Sequence, residues 1–257
     1  MRFVRFQTAK EAAQYGWLYE DMIGRLDGTP FDEFKRLDIE FPLQSVRLLP
    51  PVLPGKIICV GRNYVEHARE QGVDVPELPM LFLKPPSSVI GPGEVIQLPP
   101  QSSQVEHEAE LAVVIGRRGK WVSAEDAVHY ILGYTIANDV TARDLQRRDG
   151  QWTRGKGFDT FCPLGPWIDT NTDPADVLIS CRVNGELRQM ASTREMVFTV
   201  QQLVAFVTSV MTVEPGDVIL TGTPAGIGPL TAGDIVSISV EGLGDLENPV
   251  ANALPER

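Results

Sequence analysis

Residues 105–116 read VEHEAELAVVIG, three glutamates at every second position running directly into an apolar segment. Read as a strand, whose side chains alternate between faces, the stretch puts Glu106, Glu108 and Glu110 on one face with Ala112, Val114 and Gly116. The other face carries His107, Ala109, Leu111, Val113 and Ile115. Both faces are apolar beyond Leu111, so that half of the strand is expected to be covered on both sides, with the glutamates where the covered region begins. Same-face neighbours lie roughly 6.5–7 Å apart at a rise of ~3.3 Å per residue, near enough for two carboxylates to converge on one cation. Burying ionised carboxylates costs several kcal/mol each unless something compensates, and a divalent metal is one such compensation. A solvated strand edge is the other reading, and this stretch alone leaves both open.

The sequence around it is strand-rich. KIICVG, PMLFLK, EVIQL, YTIAND, DVLISCRVNG, DVILTG and DIVSISVEG all read as short strands, and Asn184-Gly185 between Val183 and Glu186 predicts a type I′ hairpin. Helices are fewer. Ser123 with Asp126 opens SAEDAVHYI, and Thr199 with Gln202 opens TVQQLVAFVTSVMTV, both at capping-box spacing. Thr8 with Glu11 has the same spacing and predicts a helix over EAAQYGWLYEDMIGRL. The proline-rich LLPPVLPG (48–55) reads as a linker, dividing a small N-terminal unit (1–50) from the main domain (51–257). Strands and helices do not alternate regularly, which favours an α+β fold over a doubly wound parallel sheet. Neither common nucleotide-binding glycine loop is present.

A chain of 257 residues with 43% hydrophobic residues is long enough for one sizeable core. Its formal net charge of -11 argues against nucleic-acid or anionic-membrane partners, which select a basic face. The N-terminus lacks the apolar core of a secretory signal and no segment approaches a ~20-residue membrane span, so a cytoplasmic location is expected. Cys59, Cys162 and Cys181 are widely spaced and read as small buried hydrophobes.

Further residues carry chemistry. Asp139 ends the strand YTIAND and is either a helix cap for TARDLQRRD or a site residue. Oxygen ligands from two strand glutamates and this aspartate, with no nearby His or Cys ligand, would suit Mg²⁺ or Mn²⁺ better than zinc. His67 and Glu70, three apart in YVEHARE, lie on one helical face as an oriented general base or as an ordinary ion pair. Arg143, Arg147, Arg148, Arg154 and Lys156 form a basic cluster, either a pocket for an acidic substrate or a solvated loop. LTGTPAGIG (220–228) is either a tight turn or a loop offering backbone amides and Thr223 to an anion.

Eight blocks together resemble the fumarylacetoacetate hydrolase family, in the family's order: ICVGRNYVEHARE, PMLFLKPPSS, VEHEAELAVVIG, YTIANDVTARDLQ, WTRGKGFDTFCPLGP, VNGELRQ, MVFTVQQLV and GDVILTGTPAGIG. The resemblance runs from about Lys56 to Val250 and implies a strand-rich mixed-sheet roll, with the N-terminal fifty residues matching less well. It implies that Glu108, Glu110 and Asp139 hold Mg²⁺ or Mn²⁺, with Ca²⁺ able to substitute in a crystal, and that Glu106 stands outside the ligand set. It implies His67 and Glu70 for proton transfer or water activation, and Lys156 as a catalytic and substrate-binding residue. Arg143, Gln146 and Thr223 are implied to contact substrate, and Lys84 to form part of the pocket wall. A homodimer is the expected assembly.

The implied activity is cleavage of the C3–C4 bond of a small anionic 2-oxo acid through a metal-stabilised enolate, as an acylpyruvate hydrolase or oxaloacetate decarboxylase. TARDLQ resembles those members more than the isomerases of aromatic catabolism, namely the 5-carboxymethyl-2-hydroxymuconate and 2-hydroxyhepta-2,4-diene-1,7-dioate types. Those isomerases, and a metal-binding protein without turnover, are the alternatives.

Overall fold

The computed structural model describes residues 1–253. The strand Ala109–Ile115 lies well inside a sheet of twelve strands, paired antiparallel with Ile131–Asn138 on one side and Val218–Leu220 on the other. Its two faces serve two different cores, as the alternation requires. Ala109, Leu111, Val113 and Ile115 pack with Ile179, Ile238, Leu203 and Val207, while Ala112 and Val114 pack with Phe3, Val52, Ile168 and Leu220. The first core is closed by a five-stranded sheet, ordered Glu186–Ser192, Leu178–Val183, Ile235–Val240, Gly244–Asn252 and Ile96–Leu98, together with the helix Val200–Val210. Pairing is mostly antiparallel, with Val218–Leu220 running parallel to Ile57–Gly61. The architecture is the strand-rich α+β arrangement expected.

The glutamate stretch is not one continuous strand. Val105–His107 belongs to a separate three-stranded sheet with Thr141–Ala142 and Gly228–Pro229, and the chain breaks at Glu108 before entering the large sheet. At the break, Glu108 N–H donates to Asn138 Oδ1 at 2.9 Å, and Glu108 C=O accepts from Asp139 N–H at 2.9 Å. The kink therefore fixes Glu108 beside the end of the strand that delivers Asp139.

Four α-helices are present among the described residues: α1 Val65–Glu70, α2 Arg143–Asp149, α3 Thr153–Lys156 and α4 Val200–Val210. The capping box before α4 forms as predicted, Thr199 accepting from Gln202 N–H while Gln202 accepts from Thr199 N–H. Asn184 and Gly185 adopt φ of 53° and 80° between the paired Val183 and Glu186, the expected hairpin. After Ser123 only a short 3₁₀ turn forms, Ala127–Tyr130, because the chain re-enters the large sheet at Ile131. No helix among the described residues is long and apolar enough to cross a membrane.

The predicted N-terminal helix is wrong. Gln14–Tyr19 and Met22–Gly28 are strands, followed by Phe34–Pro42, and all three extend the large sheet through Arg2–Gln7, whose Arg2 and Phe3 pair with Asp169 and Ile168. The Thr8 hydroxyl caps only a local turn, and Glu11 instead accepts from Arg25 and Gln14. Two glycines decide against the helix: a Cβ on Gly16 would lie 2.8 Å from the Phe6 ring, and one on Gly24 would lie 2.3 Å from the Trp17 indole. Large aromatics pack over bare backbone here, which suits a pleated surface. The proline-rich 48–55 stretch is irregular after Leu49, yet Pro50, Pro51, Val52 and Pro54 are buried against the large sheet, unlike an exposed linker.

Candidate metal centre and proton-transfer dyad

Glu108, Glu110 and Asp139 converge, each offering a carboxylate oxygen within 4.8 Å of the others. All three are buried, as is Glu106, which excludes the solvated-edge reading. Asp139 does not cap a helix: Ala142 occupies the N-cap of α2. It instead accepts from Lys84 Nζ at 2.6 Å and Lys156 Nζ at 2.6 Å. Lys156 also donates to Glu108 at 2.7 Å, and Arg143 bridges Glu106 and Glu108 while its third nitrogen donates to Gln146 Oε1.

The charge pattern bears on whether a cation fits. Glu110 has no Lys or Arg partner among the described residues, only the Gly222 N–H at 2.6 Å. Burial, with Asp139 and Glu108 beside it, pushes its carboxyl well above the usual range. Burial alone would raise Glu108 as well, but Lys156 and Arg143 outweigh it and hold that carboxyl below the usual range. Lys156 is raised, its desolvation outweighed by Asp139 and Glu108. Four buried carboxylates thus face three cations, and the residual negative charge sits on an all-oxygen donor set. That set fits a hard divalent cation such as Mg²⁺ or Mn²⁺.

The proton-transfer candidates come from α1. His67 is buried, and its Nδ1 lies 3.1 Å from Glu70 Oε2 while Nε2 lies 3.2 Å from the Gln71 side-chain nitrogen. With Gln71 donating to Nε2, the proton belongs on Nδ1, directed at Glu70. Glu70 also accepts from Gly226 N–H at 3.0 Å, which ties α1 to the loop after Leu220. Burial would raise the Glu70 carboxyl, yet His67 and the Gly226 amide hold it below the ordinary value. His67, Glu108, Glu110, Asp139, Arg143, Gln146, Lys156 and Thr223 all line one cavity.

Several residues sit differently from their sequence-based placing. Lys84 is buried behind Asp139, donating also to Val140 C=O at 3.1 Å, so it supports that carboxylate from behind. Thr223 donates its hydroxyl to Ala109 C=O at 2.9 Å and accepts from Gln189, leaving only acceptor capacity toward the cavity. The amides of Gly222 and Gly226 serve Glu110 and Glu70, so this loop organises site carboxylates. Of the basic cluster, Arg143 and Lys156 enter the site, while Arg148 and Arg154 pair with Asp149 at the surface and Arg147 is exposed.

The sequence reading missed Gln71 and Gln189. Gln189 accepts from Ala109 N–H and lies 2.9 Å from His107 Nδ1, while its amide donates to Thr223 and Pro224 C=O, locking the strand break to the 220–228 loop. Gln189 ends the family-like block VNGELRQ, whereas Gln71 falls just after ICVGRNYVEHARE and had no sequence signal.

Residues 56–251 match the family described as Fumarylacetoacetate (FAA) hydrolase C-terminal, and residues 1–51 match one described as Rv2993c-like, N-terminal. The mitochondrial oxaloacetate tautomerase Fahd2a of Rattus norvegicus is 49% identical over 221 residues, covering 81% of this chain and 71% of that protein. A 5-carboxymethyl-2-hydroxymuconate delta-isomerase from Mycobacterium smegmatis superposes with a TM-score of 0.93 at 47% identity, covering 98% of this chain and 100% of that one. A fumarylacetoacetate hydrolase from Exiguobacterium antarcticum superposes at 0.86 with 38% identity, covering 98% and 100%.

Proposed function

Because the chain belongs to the fumarylacetoacetate hydrolase family, we propose that it is a divalent-metal-dependent enzyme that interconverts the keto and enol forms of a small 2-oxo acid, oxaloacetate foremost. One observation carries the reading: a buried oxygen-donor triad and His67, oriented by Glu70, face the same cavity. Glu108, Glu110 and Asp139 would hold the cation, which when bound would supply Lewis-acid stabilisation of negative charge on the substrate's C2 oxygen. His67 Nε2 takes that proton, displacing the Gln71 amide that faces it, and the Glu70 carboxylate stabilises the imidazolium. The proton is then delivered to the C2 oxygen, which completes keto-to-enol conversion. Lys156 and Arg143 hold Glu108 in position and offset most of the carboxylate charge that an acid substrate would otherwise meet. The tautomerase and isomerase names of the rat and mycobacterial relatives support proton transfer along this route.

Cleavage of the C3–C4 bond is the second reading, supported by the hydrolase likeness and by the TARDLQ block, and it draws on the same charge development at C2. Metal binding without turnover is disfavoured because metal retention alone has no use for the His67–Glu70 pair. The test is His67→Ala assayed on oxaloacetate by ultraviolet absorbance of the enol, with pyruvate formation followed in parallel. Tautomerisation should fall by about 10²-fold or more in kcat. A variant that tautomerises at the wild-type rate would refute His67 as the base, and loss of pyruvate formation alone would promote the cleavage reading.

A further inference from the structure

The cavity shares Arg62, Gln71, Arg143, Gln146 and Trp152 with a second chamber of about 310 Å³, which Glu70 and Arg147 also line. Arg62 lines both spaces and is the residue that sets it apart. Every other buried or half-buried cation around the site has a carboxylate partner: Lys84 and Lys156 pair with Asp139, and Arg143 with Glu106 and Glu108. Arg62 has none among the described residues, and its Nε–H donates to the neutral Gln71 Oε1 at 3.2 Å. The guanidinium is held over the Trp152 ring, 5.6 Å from its centroid, and Trp152 is seated against Gly61, where a Cβ would come within 2.9 Å of the indole. The backbone is also committed, since Arg62 adopts φ of 59°, a left-handed conformation uncommon outside glycine. A half-buried guanidinium that is stacked, backbone-constrained and free of any carboxylate is arranged for an anion brought from outside.

Charge accounting gives the same direction. A dication added to the four buried carboxylates and three cations of the inner site leaves one positive charge, matched by the carboxylate of a 2-oxo acid. Farther out, Arg62 and Arg147 stand against the single carboxylate of Glu70, which leaves one positive charge in the outer chamber for a second anionic group of the substrate. We propose that Arg62 is the specificity residue for a distal carboxylate, and that the outer chamber selects dianionic 2-oxo diacids over monoanionic 2-oxo acids of equal length. The inference rests on the 2-oxo acid reading of the inner site.

The experiment is calorimetric titration of the Mg²⁺-loaded full chain with 2-oxoglutarate and 2-oxovalerate, which differ in a terminal carboxylate against a methyl group. Wild type should bind 2-oxoglutarate at least about tenfold more tightly, the scale of one charge-assisted contact. Arg62→Asn, chosen because asparagine tolerates positive φ, should weaken 2-oxoglutarate about tenfold more than 2-oxovalerate and so erase the preference. Arg62→Lys, which keeps the charge, should restore part of it. A wild type without preference, a preference that survives Arg62→Asn, or one lost in Arg147→Ala instead would each overturn the assignment. Binding of 2-oxovalerate tests the inner site separately: if neither acid binds, the 2-oxo acid reading fails and the distal subsite falls with it.

Discussion

Lys84 shows how closely charge is balanced at single residues. Its ammonium is fully enclosed, 2.6 Å from Asp139, in a place where an unpaired ion would be strongly disfavoured. Lys84→Met should therefore destabilise the metal-free protein by about 3 kcal/mol, because it leaves Asp139 with Lys156 as its only cationic partner. Part of that loss should return at saturating Mg²⁺, since a cation on the carboxylates replaces the missing charge and binds the folded state alone. Thermal melts with and without Mg²⁺ check this, and an identical loss in both conditions would contradict the placing of Asp139 at a cation site. At this scale the sequence was informative where chemistry and local spacing coincide: alternation put Glu106, Glu108 and Glu110 on one face and the three-residue step of a helix paired His67 with Glu70, while the family resemblance singled out Glu108 and Glu110. Gln71, Gln189 and Arg62 were not legible. Gln189 is a neutral amide that acts through long-range contacts, Gln71 is one whose role shows only in the side-chain geometry around His67 and Arg62, and Arg62 is distinguished by the partner it lacks.

Elements position these residues through backbone that tolerates few substitutions. The loop after Leu220 must pass Arg188 closely enough that a Cβ on Gly226 would lie 2.0 Å from a carbonyl oxygen, and φ there is 99°. The Gly226 amide is also the donor that holds Glu70. Gly226→Ala should cost about 3 kcal/mol in denaturant unfolding and loosen the dyad. Gly72→Ala is the control, for its φ is 69° but nothing lies within 4 Å of the added Cβ, so about 1 kcal/mol is expected from backbone strain alone. Equal losses would show that backbone conformation, not close approach, governs the loop. Strands of the main domain were legible because their apolar patterning matches their burial, alternating in Leu178–Val183 and Ile235–Val240 and unbroken in Ala109–Ile115, which is covered on both faces. The N-terminal segment was not, because its capping signal is local while the competing influence is tertiary: Phe6 and Trp17 packed over Gly16 and Gly24. The break at Glu108 was equally hidden, being set by pairing with Asn138 and Asp139 thirty residues away in sequence.

Across the whole molecule, the large sheet carries the N-terminal strands at one end and Ile57–Gly61, which leads into Arg62 and α1, toward the other. Between them, the ends of Ala109–Ile115, Ile131–Asn138 and Val218–Leu220 deliver Glu110, Asp139 and the Gly222 amide to one place, while the five-stranded sheet contributes Gln189 as the brace. The net acidity of the chain is offset locally, because Lys84, Arg143, Lys156 and Arg62 are concentrated around the site and balance most of its carboxylates. The central claim is that this convergence holds a divalent cation on which turnover depends. It is tested most directly by following the absorbance of oxaloacetate enol with protein stripped by a chelator and then titrated with Mg²⁺ or Mn²⁺. Stripped protein should leave only the uncatalysed relaxation, and activity should return with about one cation bound per chain; undiminished turnover in excess chelator would contradict the account.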